Sequence, residues 1–217
     1  MSPVAPKEKK IIIGLSGKKG VGKSTVAEYV EETYDFREYA FANKLKDACM
    51  LVFQLGVRQL YGTQSDKESI DEFWGVSPRV IMQEFGTAMR NLANKNERLD
   101  KIWIRGLHRE IELKGNKLVV ISDVRYQDEA DSIKEYESRG WKVALIKIVR
   151  PEMEFDVADT NVAADETKSD GEQSTAKHES ETQDVKCDHE IVNSGTRKAL
   201  FENIKKIIDT LLKEVDE

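Results

Sequence analysis

Gly17-Lys18-Lys19-Gly20-Val21-Gly22-Lys23-Ser24 satisfies the spacing G-x-x-x-x-G-K-[ST] in full. Each position has a physical reason. Glycines let the backbone curl so that successive N–H groups point inward at phosphate oxygens. A helix starting near Gly22 adds its positive dipole end to the same spot. Lys23 can then reach the β- and γ-phosphates of a nucleoside triphosphate, and the Ser24 hydroxyl can coordinate Mg²⁺. Four specified positions match by accident in roughly 1% of chains this long, so a phosphate cradle is a better reading than a glycine-rich turn. The expected ATP-binding set is Gly17, Lys18, Lys19, Gly20, Val21, Gly22, Lys23, Ser24 and Thr25.

A second anionic ligand would need its own cations. On a helical wheel of about 100° per residue, Arg79, Gln83, Gly86 and Arg90 share one stripe, with Thr87 at its edge. No acid lies on that stripe within the helix, and the glycine would allow close approach, so it reads as a phosphate-binding face rather than an ordinary solvated one. Ile81, Phe85, Ala88 and Leu92 gather on the opposite side and are expected to face the core. Arginine's planar fork suits a phosphate dianion. Asp123 ends the apolar run LVVISD, where it can hold the Mg²⁺ shell, position an acceptor, or simply cap a helix. Arg125 and Arg150 stand just beyond strand ends, near the same crevice or in surface ion pairs.

The elements that must position these residues alternate. Lys10 to Ser16, Leu118 to Asp123 and Lys142 to Val149 are continuous apolar runs typical of buried parallel strands, with shorter strands expected at Tyr39 to Phe41 and Glu190 to Asn193. Helices are expected over Gly22–Tyr34, Asn43–Leu55, Ser77–Asn94, Leu99–Leu113, Gln127–Arg139 and Arg197–Leu212, leaving 62–75 unassigned. Strands alternating with helices mean an α/β fold with a parallel sheet covered on both faces. From 152 to 190 acids dominate and apolar residues are sparse, so a mobile loop is expected. The organisation expected is a disordered tail over 1–9 and a single domain over 10–217, with a helical acceptor-binding region at 43–115 and an acidic lid at 151–190.

Composition narrows the partners. With a formal net charge of -6, the chain would be repelled by nucleic acid, so no nucleic-acid partner is expected. No apolar run approaches a membrane span, and the start of the chain does not resemble a secretory signal. Two cysteines without metal-ligand spacing fit a reducing compartment. A cytoplasmic protein is expected, with the oligomeric state, a homodimer among the options, left open.

In order along the chain, the P-loop, FANKLKDAC, PRVIMQEFGTAMRN, the Trp of IWIRG, SDVRYQDEA, VRP, HESE and DHEIVNSGT resemble the bacteriophage-type deoxynucleoside monophosphate kinases. The blocks run from about residue 11 to 212; Gln83 to Thr87 and His178 to Glu181 are the more particular ones. The resemblance implies a P-loop adenylate-kinase-like fold with a five-stranded parallel sheet, an acceptor-binding helical region and a lid. It implies ATP and Mg²⁺ at Lys23 and Ser24, and a monophosphate at Arg79, Gln83, Arg90 and Arg125. Arg150 would be the cation at the transferring phosphoryl group, so Lys23, Arg125 and Arg150 form the catalytic set. Lys46 becomes a phosphate or acceptor contact, Trp103 an acceptor-pocket wall or a core residue, and His178 and Glu181 lid residues. One departure is that 152–177 holds no arginine, although lid arginines are common in monophosphate kinases. Two other classes share parts of the pattern: a phosphomevalonate kinase of the animal type, and a nucleotide-operated switch with no acceptor.

Overall fold

The computed structural model describes residues 9–93, 95–96, 101–151 and 184–216. Five strands, β1 (Ile11–Ser16), β2 (Arg37–Tyr39), β3 (Leu118–Val124), β4 (Lys142–Val149) and β5 (His189–Val192), form one sheet in the order β2-β3-β1-β4-β5. Every pairing is parallel. Ile11, Ile13 and Leu15 of β1 face one layer and Ile12 the other, and all four are fully buried. At about 1.5–3 kcal/mol for each large aliphatic side chain buried, this strand anchors both layers. Helices α1 (Lys23–Tyr34) and, later in the chain, Arg197–Asp216 cover the first face.

Between β2 and β3 lies a helical layer: α2 (Phe41–Phe53), α3 (Val57–Tyr61), α4 (Gln64–Glu68), α5 (Pro78–Ala93) and α6 (Ile102–Lys114). It has its own small core of Cys49, Leu55, Leu60 and Ile81. After β3 come α7 (Gln127–Lys134) and a 3₁₀ turn, Glu135–Arg139, and the chain closes with α8, Arg197–Asp216.

Several boundaries differ from expectation, each for a tertiary reason. The second strand is Arg37–Tyr39, and Phe41 already belongs to α2. The Asp123 carboxylate accepts the backbone N–H groups of Phe41 at 2.7 Å and Ala42 at 2.9 Å. That satisfies two orphan donors and starts the helix two residues before Asn43. Within 62–75, Thr63 and Asp66 cap α4 reciprocally: Thr63 N–H donates to Asp66 Oδ2 at 2.8 Å and Asp66 N–H to Thr63 Oγ1 at 3.2 Å. On α5 the expected apolar face is only partly used, since Ile81 is buried but Ala88 is exposed and Leu92 is 62% exposed. The end of the acidic stretch also packs: Val185 is buried, and Asp188 accepts the Leu145 N–H at 2.7 Å and pairs with Lys134 at 2.8 Å. The expectation of a mobile loop over the preceding acidic residues lies outside the described residues.

His108 of α6 is enclosed between Tyr136 and Ser132, with ring nitrogens 3.0 Å from the Tyr136 hydroxyl and 3.1 Å from Ser132 Oγ. Burial, with the nearby Arg139 charge, pushes its pKa down from 6.5 to about 4. Below pH 6.5 the unfolded chain takes up a proton that the folded chain refuses. Stability should therefore fall as pH drops from about 6.5 toward 4, by at most about 3 kcal/mol from this group. Chemical denaturation at about pH 7 and pH 5 should show the wild type losing more stability than His108→Asn. Coincident losses would refute the assignment.

Candidate functional site

The register of the central strand fixes the crevice. Ser16 pairs with Val124 on one side and Lys147 on the other. The loop after β1 therefore opens between the carboxyl ends of β3 and β4, the position at which ligands bind open parallel sheets.

Gly17 has φ +136, and a Cβ there would stand 2.2 Å from the Ile148 carbonyl oxygen of β4. Gly22, at φ +111, caps α1 and would bring a Cβ within 2.9 Å of Asn193 Nδ2. No other residue type fits either place without displacing its neighbour. Lys23 Nζ curls back and donates to the carbonyls of Gly17 at 2.6 Å and Lys18 at 2.8 Å. Ser24 is exposed in the first turn of α1, with Thr25 half-buried behind it; Lys18, Lys19 and Gly20 are exposed and Val21 is buried. Asn193, just past β5, holds the loop from behind: its Nδ2 donates to the Val21 carbonyl at 2.8 Å and its N–H to the Val149 carbonyl at 2.7 Å.

Across the crevice the α5 stripe is not the acid-free surface that the helical wheel suggests. Arg79 Nε stands 3.4 Å from Glu68 of α4, and its Nη2 donates to Gln64 Oε1 at 2.9 Å. Arg79 Nε is buried without a hydrogen-bond partner among the described residues, Glu68 standing at ion-pair distance only. The same Glu68 oxygen lies 3.7 Å from Lys19, so one exposed carboxylate bridges the P-loop and α5. Such exposed pairs contribute about 0–1 kcal/mol and give way readily to a better anion. Arg90 reaches α7 instead, 3.4 Å from Glu129 and 3.8 Å from Asp128, with its guanidinium 4.1 Å from the Tyr126 ring centre.

Gly86 leaves room for a helix rather than a ligand: a Cβ would meet Leu45 Cδ2 of α2 at 2.9 Å, and its carbonyl accepts from Trp103 Nε1 at 3.3 Å. Trp103 is thereby held half-buried against α5. Gln83 is half-buried and Thr87 exposed on α5. Asp123 uses both carboxylate oxygens on the start of α2, and each oxygen keeps a second lone-pair direction. Arg125 and Arg150 are exposed just past β3 and β4. His178 and Glu181 lie outside the described residues.

Like charges approach one another in the crevice. Burial holds Lys46 below the usual lysine value; Lys67 and Arg125 push the same way, against Asp123 and Glu38. Burial likewise lowers Lys67, with Arg79 and then Lys19 adding to it. Cations from the P-loop, α2, α4, α5 and the turn after β3 thus crowd one region, a field that an anion relieves. Lys67, Glu68, Glu129 and Asn193 belong to this arrangement, and helix-by-helix reading of the sequence does not find them.

No family model matches the chain. A protein of Acanthamoeba polyphaga mimivirus assigned as a deoxynucleotide monophosphate kinase is 40% identical over 173 residues, covering 73% of this chain and 83% of that protein. Among solved structures, a Thermus thermophilus protein aligns at 16% identity and a TM-score of 0.49 over 94% of this chain and 99% of its own. The Mycobacterium tuberculosis APS kinase in complex with AMPPNP and APS aligns at 13% and 0.45 over 94% and 98%. Neither adds to what the sheet order already shows. The mimivirus relative does: identity at that level and coverage, on a chain with an intact phosphate cradle, means that this protein belongs to the deoxynucleotide monophosphate kinases, a phosphotransferase family.

Proposed function

We propose that this kinase transfers the terminal phosphoryl group of ATP to the phosphate of a deoxynucleoside monophosphate, giving the diphosphate and ADP. The observation that carries this reading is the crowding of cations between the P-loop and α5, where Lys46 and Lys67 are both held low by burial and by like charge. A nucleotide switch needs no second anion site.

In this reading Gly17 to Thr25 bind ATP. Arg79, Arg90, Arg125 and Lys46 bind the acceptor, with Gln83, Thr87 and Trp103 along its nucleoside. Residues 43–115 form the acceptor region. The glycine cradle and the exposed Ser24 hydroxyl suit a magnesium–triphosphate ligand, and Ser24 and Asp123 are the residues that would hold the ion. Mg²⁺, when bound, neutralises charge on the phosphate oxygens.

An oxygen of the acceptor's phosphate attacks the γ-phosphorus as the bond to the β–γ bridging oxygen breaks, and ADP leaves. That oxygen is already anionic, so no strong general base is required. The work left to the chain is alignment and neutralisation. Lys23 leaves the Gly17 and Lys18 carbonyls for the triphosphate, and Arg150 meets the transferring group. In this reading His178 and Glu181 belong to a lid that would exclude water, and the packed residues from Val185 into β5 are not part of it. Cytoplasmic residence, in the host if the gene is viral, is part of the same reading.

The test is a coupled assay offering ATP-Mg²⁺ with each common deoxynucleoside and ribonucleoside monophosphate, and with phosphomevalonate in parallel. Formation of a deoxynucleoside diphosphate is expected. Hydrolysis of ATP with no phosphorylated acceptor across the panel would sink the proposal.

A further inference from the structure

Glu129 lies in the first turn of α7 and is 3% exposed. Its two oxygens do different things. Oε2 accepts the backbone N–H groups of Arg125 at 2.8 Å and Tyr126 at 3.2 Å. Oε1 accepts from Arg90 Nη2 of α5 at 3.4 Å. One side chain therefore ties the turn carrying Arg125 to the guanidinium of Arg90, which also lies over Tyr126. The two cations come from elements far apart in sequence, and their relative placement depends on this carboxylate.

We propose that Glu129 is a positioning residue for the acceptor site: its buried carboxylate fixes Arg90 and the Arg125 turn relative to each other so that both can meet one phosphate group. This rests on the acceptor-site reading given above.

A helix cap alone does not explain the choice of residue. Glutamine serves equally well at the third position of a capping box and carries no charge. Here an ionisable group sits where burial disfavours its charge. Burial first, and the like charge of Asp123 second, push Glu129 up to about 7, against the opposing pull of its two backbone hydrogen bonds and of Arg90. With the folded pKa above the unfolded value, this group's contribution to stability declines as pH rises through about 7. What glutamine cannot supply is an anion for Arg90, because its amide N–H₂ would face another donor.

Among the described residues, the charged groups facing Glu129 are Arg90 from α5 and Asp123 from β3, with Asp128 beside it in its own turn; Arg125 meets it through its backbone N–H. From α6, His108 reaches this region through Ser132, whose hydroxyl donates to the Glu129 backbone carbonyl at 2.7 Å, while its other ring nitrogen faces the Tyr136 hydroxyl.

The experiment compares wild type with Glu129→Gln from about pH 6 to pH 8.5, measuring kcat and KM for both the deoxynucleoside monophosphate and ATP, with melting temperatures at each pH. At about pH 8 the variant should raise KM for the monophosphate about tenfold, with ATP KM unchanged and a melting temperature no lower than wild type. The ratio of the two monophosphate KM values should shrink toward one as pH falls to about 6, because the protonated wild-type side chain comes to resemble the amide. Titration of the substrate's own phosphate cancels in that ratio. A ratio independent of pH, equal losses for ATP and monophosphate, or a collapsed melting temperature would each assign Glu129 to capping alone and overturn the proposal. Arg90→Ala, assayed alongside, separates the two layers: no change in monophosphate KM there would refute the acceptor site itself. A rise there with none in Glu129→Gln would refute only the positioning role.

Discussion

Lys23→Ala should lower turnover by about three orders of magnitude while the variant remains folded. Lys23 is the one lysine whose position in the cradle is fixed both by motif and by geometry, with Nζ within 2.8 Å of two loop carbonyls. Those contacts hold the ammonium at the mouth of the site until a triphosphate competes for it. As charge spreads over the transferring phosphoryl oxygens, a fixed cation stabilises the transition state more than the ground state, so the loss should fall on kcat rather than on ATP affinity. Folding should tolerate the change, because the freed Lys18 carbonyl belongs to an exposed residue and can turn to water. Thermal denaturation and single-turnover kinetics check the two halves separately. A folded variant retaining turnover within about tenfold of wild type would remove Lys23 from the catalytic set.

Arg79→Ala should raise KM for the monophosphate by one to two orders of magnitude and leave KM for ATP nearly unchanged. A charge-assisted contact to phosphate contributes about 1.5–3 kcal/mol, which sets that range. Arg79 is the cleaner probe of the two α5 arginines. Its own partners, Gln64 and the half-exposed Glu68, lose little when it is removed. Arg90→Ala instead strands a buried carboxylate at Glu129, so its effect mixes binding with stability. Both constants should be measured at fixed Mg²⁺ and ionic strength. Equal loss for both substrates would indicate general damage, and no loss for the monophosphate would reduce this face of α5 to solvated surface.

What the sequence makes legible is local. The P-loop is contiguous, and its meaning depends on a strand before it and a helix after it, both of which β-branched runs and helical spacing reveal. β1, β3 and β4 are mainly apolar on both faces because both faces of the sheet are covered. The arginine stripe on α5 follows from helical geometry alone. What escapes is the company these residues keep. A helical wheel sees no acid beside Arg90, yet Asp128 and Glu129 arrive from a helix that starts more than thirty residues later. Asp123 looks like a cap for the helix that follows it and instead caps α2. Gly86 looks like space for a ligand and is space for Leu45. Each error has one cause, since spacing within an element says nothing about what packs against it. For Glu129 a faint signal exists, an acid three residues after the turn at Tyr126, but tyrosine is not a usual capping residue and nothing else marks the position.

The hold of Asn193 on the cradle has a consequence for how the molecule assembles. The hydrogen bond from Asn193 to Val21 spans 172 residues of sequence, and Gly17 is shaped to lie against β4. The nucleotide site is thus encoded near the beginning of the chain but completed near its end. A nascent chain carrying the whole glycine motif still lacks a finished cradle until β4 and β5 have docked beside β1. Closing such long loops is the slow part of folding, so competence to bind nucleotide arrives late and together with the last sheet contacts. By the same linkage, a triphosphate in the cradle should act on the far end of this sheet: amide hydrogens of β5 should gain protection against exchange when it binds, because the Asn193 side chain just beyond that strand holds the Val21 carbonyl.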